Sequence, residues 1–366
     1  MSEVVRAALE QLRRREDLEA AGMAAVMREI MAGACDPAQI GALLMGLAAK
    51  GECTAEIVGA ARALREAVVP VVCTRGDLLD TCGTGGSKVP RFNVSTAVAI
   101  AVSACGVAVA KHGNRAASSP CGSADVLENL GVSLEAPPQV VAAMIDEIGL
   151  GFLFAPALHP AMHHAAGPRR ALGFRTLFNL LGPLCNPAGA TRQLLGVHDP
   201  ARCRDLAAAL GELGSVRVLV VHGFGAGVPA RAGSPAGIDD ASTEGETLVW
   251  QWHQGALTEH VVRPADAGLP EVAFAELHDD HPMGNAGALL RLVEGEQGPY
   301  RTAVQWSGAL ALLAAGTGDW SDLPSYARHV GEVLDDGRAR SQLAELVGRS
   351  QERPQLSGRA VGREMR

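Results

Sequence analysis

From about residue 78 onward, short β-branched runs alternate with helical stretches, and each run breaks off into a glycine-rich turn. Candidate strands are Leu78 to Asp80, Val107 to Ala110 and Val216 to Val221, with helices such as Pro137 to Ile148 between them. Such alternation argues for an α/β fold, a mostly parallel central sheet flanked by helices. Ligands of such sheets gather beyond the carboxyl ends of the strands. Chemistry is therefore expected at the glycine-rich strand ends.

The chain ahead of this pattern reads as helices. Asp36-Pro37 offers an N-cap followed by proline at the first helical position, Ala38 to Lys50 follows, and Gly51 supplies a stop. Thr54 is expected to cap a second helix, Ala55 to Val68, with Glu56 in its first turn and Pro70 beyond its end. The organisation expected is a small N-terminal helical domain over 1–72, joined by helices from about 160–185, and a larger α/β domain over 73–350. A polar tail, 351–366, and a Gly/Ala/Pro/Ser loop, 224–237, lack periodicity.

Of 366 residues 48% are apolar, enough to bury a large core, and the formal charge of −8 gives no general affinity for nucleic acid or anionic membrane. Any phosphate binding must be local. The uncharged stretch 93–110 is rich in Ser, Thr, Ala and Gly, so a buried helix followed by a short strand is expected there, not a membrane span. Eight scattered cysteines, without a CxxC pair and with no signal peptide ahead of them, read as reduced, mostly buried thiols of a cytoplasmic protein.

Five segments carry chemistry. Gly83-Thr84-Gly85-Gly86-Ser87 leaves a strand with backbone amides that can turn toward an anion, though a tight turn without a ligand has the same sequence. Phe92-Asn93-Val94-Ser95-Thr96 places an amide and two hydroxyls at a helix start, which suits ordinary capping and also suits phosphate. Lys111-His112-Gly113-Asn114-Arg115, continuing to Ser118, Ser119 and Ser123, compresses a cation, an imidazole, an amide, a guanidinium and hydroxyls into one loop. Asp239-Asp240 is either a helix start or exposed turn, or a pair of hard oxygen ligands for magnesium. His159, His163 and His164 lack a helix-spaced acidic partner and are read as packing and hydrogen bonding, whereas Arg169 and its neighbours, beside an aromatic-lined apolar segment, can clamp a small carboxylate.

In this order the segments resemble the anthranilate phosphoribosyltransferase family. The runs KHGNRAASS at 111–119, GSADVLENLGV at 122–132, FLFAPALHPAM at 152–162 and RTLFNLLGPLCNPA at 175–188 carry the resemblance, which covers most of the chain. It implies transfer of ribose 5-phosphate from phosphoribosyl pyrophosphate (PRPP) to anthranilate, with release of pyrophosphate, in tryptophan biosynthesis. It also implies a cleft between the two domains and a homodimer built through the helical one. By position, Gly83, Gly86, Ser87, Arg91, Asn93, Ser95, Thr96, Lys111, Asn114, Ser118, Ser119 and Ser123 would hold PRPP. Gly83, Asn114 and Arg169 would hold anthranilate, Ser95, Asp239 and Asp240 would ligate Mg2+, and Lys111, His112, Asn114 and Arg169 would stand at the reacting centre.

The chain departs from the family pattern in two places. Ser87 stands where the glycine-rich loop usually carries an acid, with Arg91 in place of a threonine and Lys88 nearby; the acidic pair, usually Asp-Glu, is Asp239-Asp240. Compensation by added positive charge is one account, and a paralogue with another acceptor amine or weakened catalysis is the other. A pyrimidine nucleoside phosphorylase shares the architecture, but its Lys-His-Ser-Thr-Gly-Gly loop is absent. A non-catalytic relative that binds nucleic acid fits neither the acidic balance nor the retained Lys111, Asn114, Asp239 and Asp240.

Overall fold

The computed structural model describes residues 2–87, 92–116, 121–225, 237–278, 281–316 and 318–352. Seven strands form one sheet: β1 (Leu79–Gly83), β2 (Val109–Gly113), β3 (Leu150–Phe154), β4 (Arg192–Gly196), β5 (Arg217–Gly223), β6 (Thr247–His253) and β7 (Ala256–Val262). Their order is β3-β2-β1-β4-β5-β6-β7. The first five are parallel, as the alternation requires, and the last two are antiparallel. Gln254 and Gly255, both at positive φ, close the β6–β7 hairpin, the backbone that matches the twist of paired strands.

The chain runs outward from β1 to β3 and then returns to place β4 on the other side of β1. The strand order therefore reverses at β1, and a crevice opens beyond the carboxyl ends of β1, β2 and β4.

The helices α1 (Glu3–Arg13), α2 (Ala20–Met31), α3 (Pro37–Lys50) and α4 (Thr54–Glu66) form the N-terminal bundle. Asp36 caps α3 as expected, accepting from the Ala38 amide at 2.8 Å. The expectation for the next helix needs correcting. Thr54 is already helical and Cys53 is the N-cap, because the Glu56 carboxylate reaches back to the Cys53 amide at 3.0 Å and leaves Thr54 to donate to Asp205.

Next come α5 (Val94–Ala104), α6 (Ser123–Asn129), α7 (Pro138–Ile148), α8 (Ala155–Leu158), α9 (His163–Leu172), α10 (Phe178–Leu181) and α11 (Cys203–Glu212). The chain ends in α12 (Pro282–Val293), α13 (Pro299–Ala314), α14 (Leu323–Asp335) and α15 (Arg338–Ser350). Helix α9 packs on α2 and α3, and α10 packs on α4, so these two return to the N-terminal bundle.

Alternate residues of β4 and β5 feed two apolar clusters, one on each face of the sheet. Leu194, Leu219 and Val221 join α5, α13 and α14 on one face, while Leu195, Val218 and Val220 join α11 and the N-terminal helices on the other. Burial of side chains like these, at about 1.5–3 kcal/mol each, fixes the bundle against the sheet and so fixes the walls of the crevice.

Two strand expectations shift toward the site. The strand expected over 78–80 runs on to Gly83, and the one expected over 107–110 begins at Val109 and runs to Gly113. Lys111 and His112 are thus strand residues, not loop residues, because they complete the parallel ladder opposite Phe152 and Leu153. All eight cysteines are free, but only Cys121, Cys185 and Cys203 are buried. The other five are half-buried, so the expectation of mostly buried thiols was too strong.

Candidate active site

A cavity of about 630 Å³ lies at the carboxyl ends of β1 and β2, walled on the bundle side by Leu64, Met162, Arg169 and Phe178. Gly83, Gly86, Ser87, Asn93, Ser95, Lys111, His112, Asn114, Ser123, Arg169, Asp239 and Asp240 all line it. Residues more than 150 positions apart in sequence therefore share one wall. Thr96 is the exception. Its side chain is fully buried and lies off this cavity, because one step along α5 turns it about 100° from Ser95 into the core. Arg91, Ser118 and Ser119, with Lys88, lie outside the described residues.

Strand alternation sends Lys111 and His112 to opposite sides of β2. Lys111 is buried, and its Nζ donates to the Thr81 carbonyl at 2.6 Å and to Ser95 Oγ at 3.3 Å. Burial pushes its ammonium below the usual lysine range, opposed by the negative charge of Asp80 and Asp240. Asp80 is itself buried and displaced upward by that burial, opposed by Lys111. It accepts from the His112 amide at 3.0 Å and from Asn186 Nδ2 at 2.9 Å, which fixes the backbone at the head of β2. A buried ammonium bonded only to a carbonyl and a hydroxyl is stabilised further by an anion placed beside it.

His112 meets His159 on the other side, with the two Nε2 atoms 3.1 Å apart. Burial lowers His112 to about 3 and His159 to about 4, so both rings are neutral near pH 7. Two neutral rings in Nε2 contact share one proton. The Gly182 backbone hydrogen-bonds to His112. His159 Nδ1 is buried with no hydrogen-bond partner among the described residues.

Arg169 stands at the mouth of the bundle side with its guanidinium over the Phe178 ring, 5.2 Å from the centroid. Burial lowers its pKa. Among the described residues it makes no ion pair, so its charge is directed at the cavity. Asn114 lines the same cavity and is exposed, its side-chain oxygen accepting from the Arg115 amide at 2.7 Å. Arg115, by contrast, is occupied by Asp125 and Glu128 at 3.1 and 2.7 Å.

The acidic pair reaches the site through backbone contacts. Gly223, which ends β5, bridges to Ile238, and this returns Asp239 and Asp240 to the strand ends. Gly196 at the end of β4 lies so close beneath that a side chain there would run into the Asp239 carbonyl. Two carboxylates and the Ser95 hydroxyl offer only hard oxygens, and that donor set fits Mg2+ with its remaining positions taken by water or phosphate. Among the described residues, the one group of three His, Cys, Asp or Glu ligand atoms within 4.8 Å is Asp17, Cys53 and Glu56, in the helical bundle. Lys50 already supplies the cation there, 2.6 Å from Asp17 and 3.0 Å from Glu56.

Two residues line the cavity without a role assigned from sequence: His159, which sequence reasoning gives to packing and hydrogen bonding, and Arg175, part of a run without a role of its own. Arg175 Nη2 donates to the Thr84 carbonyl at 3.0 Å across the mouth of the glycine-rich loop. The polar run RTLFN after an αL glycine was the signal available for it. Cys82 also lines the cavity, but burial pushes its thiol well up, so it is no nucleophile.

The family described as "Glycosyl transferase family, a/b domain" matches residues 75–340, and its helical bundle domain matches residues 6–68. An anthranilate phosphoribosyltransferase of Citrifermentans bemidjiense is 43% identical over 363 residues, covering 95% of this chain and 99% of that protein. One of Desulforudis audaxviator is 46% identical over 345 residues, covering 94% and 96%. The crystal structure of anthranilate phosphoribosyltransferase from Thermus thermophilus superposes with a TM-score of 0.86 at 42% identity, covering 94% of this chain and 99% of that one. The yeast enzyme in complex with PRPP and Mg shares the fold, with a TM-score of 0.82 at 24% identity over 95% and 98% of the two chains. With the cavity at the sheet's reversal point and both domains matched end to end, the chain belongs to the anthranilate phosphoribosyltransferase family.

Proposed function

We infer that this protein transfers the 5-phosphoribosyl group of PRPP to anthranilate, giving N-(5-phosphoribosyl)anthranilate and pyrophosphate. The observation that carries the reading is the set of cavity cations, Lys111, Arg169 and Arg175, none of which makes an ion pair among the described residues. Substrates bearing a pyrophosphate and a carboxylate satisfy such a set. The glycine-rich loop and the start of α5, where Asn93 is the N-cap without a side-chain cap bond, present backbone amides to the donor's phosphates. Asn93 is itself held by Asn285, which accepts from its amide at 2.7 Å.

Ser95, Asp239 and Asp240 would hold Mg2+, which when bound neutralises charge on the leaving pyrophosphate. Lys111, whose Nζ donates to Ser95 Oγ at 3.3 Å, would stabilise the same developing charge, through a transition state of oxocarbenium character. Arg169 binds the anthranilate carboxylate as a guanidinium fork, and Phe178 beneath it forms the apolar wall for the ring. Asn114 orients the amine. This fixed orientation contributes much of the rate, and no strong base is needed because an aromatic amine is neutral at pH 7.

The proposed assembly is a homodimer through the helical bundle, where α1 and α3 expose Val4 and Met45. Among the described residues no helix is long and apolar enough to cross a membrane. Free thiols throughout suit a cytoplasmic setting.

Anthranilate fluorescence in the presence of PRPP and Mg2+ tests the reading. It is expected to fall in step with pyrophosphate release. Unchanged fluorescence with folded protein would overturn the choice of acceptor and favour a paralogue that uses another amine.

A further inference from the structure

Arg175 follows Gly173, the left-handed residue at φ 67° that ends α9, and so leaves the helix that carries Arg169 and crosses to the glycine-rich loop. Its Nη2 donates to the Thr84 carbonyl at 3.0 Å. The guanidinium lies against Gly86 so closely that any side chain at 86 would run into Nη1. Gly86 also sits at φ 110°, so the loop needs glycine there for its backbone and for the arginine above it.

Nothing in this arrangement requires a charge. A carbonyl satisfies one of five guanidinium donors with a neutral partner, a bond worth about 1.5–3 kcal/mol at most, and a phosphate oxygen makes a stronger, bidentate one. Asp239 and Asp199 act on Arg175 electrostatically, but neither forms an ion pair with it among the described residues. The loop position that usually carries an acid is Ser87, so no carboxylate of the loop competes for the guanidinium.

We propose that Arg175 is a donor-binding residue: on arrival of PRPP its guanidinium exchanges the Thr84 carbonyl for oxygens of the pyrophosphate held on the 83–87 loop. The inference rests on the reading of that loop as the PRPP site. It adds a side-chain clamp from the bundle side to a phosphate cradle otherwise made by the sheet. One short stretch then touches both substrates, with Arg169 on the acceptor and Arg175 on the donor.

The test compares wild type with Arg175→Gln and Arg175→Lys, using magnesium pyrophosphate as inhibitor against PRPP and calorimetric titration of PRPP itself. Arg175→Gln is expected to weaken both by about tenfold or more, the size of one lost charged hydrogen bond, with the KM for anthranilate within about threefold. Arg175→Lys should recover part of the loss, since it keeps the charge without the fork. Pyrophosphate inhibition within about twofold of wild type in Arg175→Gln, where one lost bond predicts tenfold, overturns the proposal. So does an equal rise in both substrates' KM in both variants, which marks a merely structural arginine. Failure of wild type itself to bind PRPP overturns the PRPP reading and this inference with it, whereas normal wild-type binding with an indifferent Arg175→Gln overturns this inference alone.

Discussion

Lys50 and Lys111 both keep their side chains largely from solvent, and their surroundings differ. Lys50, in the helical bundle, is met by carboxylates of Asp17 at 2.6 Å and Glu56 at 3.0 Å and by the Gly51 carbonyl at 2.7 Å. Glu56 in turn accepts from the Leu18 and Cys53 amides. Every member of that network is satisfied from within. Lys111, at the sheet, has a carbonyl and a hydroxyl and, among the described residues, no ion pair. The same contrast separates Arg115, tied to Asp125 and Glu128, from Arg169 and Arg175, which line the same cavity. A cation neutralised by its own chain holds the fold, and one left without a counter-ion in a cavity is available to an anion from outside.

The largest effect should come from breaking the satisfied network. Lys50→Met leaves the fully buried Glu56 without its cation and is expected to destabilise the protein by about 3–5 kcal/mol, while the remaining folded fraction keeps its kcat; chemical denaturation and initial rates check both halves. Lys111→Met should do the reverse, lowering kcat/KM by roughly a hundredfold to a thousandfold with little change in the denaturation midpoint. Arg169→Gln comes next, with a rise of about ten- to a hundredfold in the KM for anthranilate and a small change for PRPP, read by varying one substrate at a time.

A pH dependence completes the set. His112 and His159 are held near 3 and 4 by burial, below the ordinary 6.5. A depressed imidazole pKa means the unfolded chain takes up protons that the native one refuses. Stability is therefore full above pH 6.5 and falls as pH drops toward 4, by roughly 2 kcal/mol per ring between pH 7 and 5. Replacement of both by Gln should flatten the denaturation midpoint over that range; an unchanged slope would show that the rings are not buried neutral.

Much of this was legible in the sequence because local chemistry agrees with global placement. The Asp36-Pro37 start of α3 and the β-branched run before Gly223 specify their elements on their own, and the glycine-rich strand ends marked the cavity. What escaped depended on partners distant in sequence. The extension of β2 through Lys111 and His112 is set by pairing with β3, not by propensity. The cap of α4 falls to Cys53 because Asp205, about 150 residues downstream, accepts from the Thr54 hydroxyl while Glu56 reaches back to the Cys53 amide. Arg175 gains a role only when the stretch after α9 is laid across a loop about ninety residues upstream. On spacing alone Asp239-Asp240 reads as an ordinary turn, and only the family resemblance makes it a metal pair; Gly196 and Gly223 seat it at the strand ends.

The difference between the two lysines is tested most directly by the thermal midpoint of Lys111→Met beside that of Lys50→Met, both without ligand. The account predicts that Lys111→Met melts closer to the wild-type temperature than Lys50→Met does, since Lys111 makes no ion pair among the described residues and Asp80 keeps its bonds to the His112 amide and Asn186, while Lys50→Met strands Glu56 and melts several degrees lower. Equal losses in the two variants would contradict it, and would place Lys111 among the residues that hold the fold together.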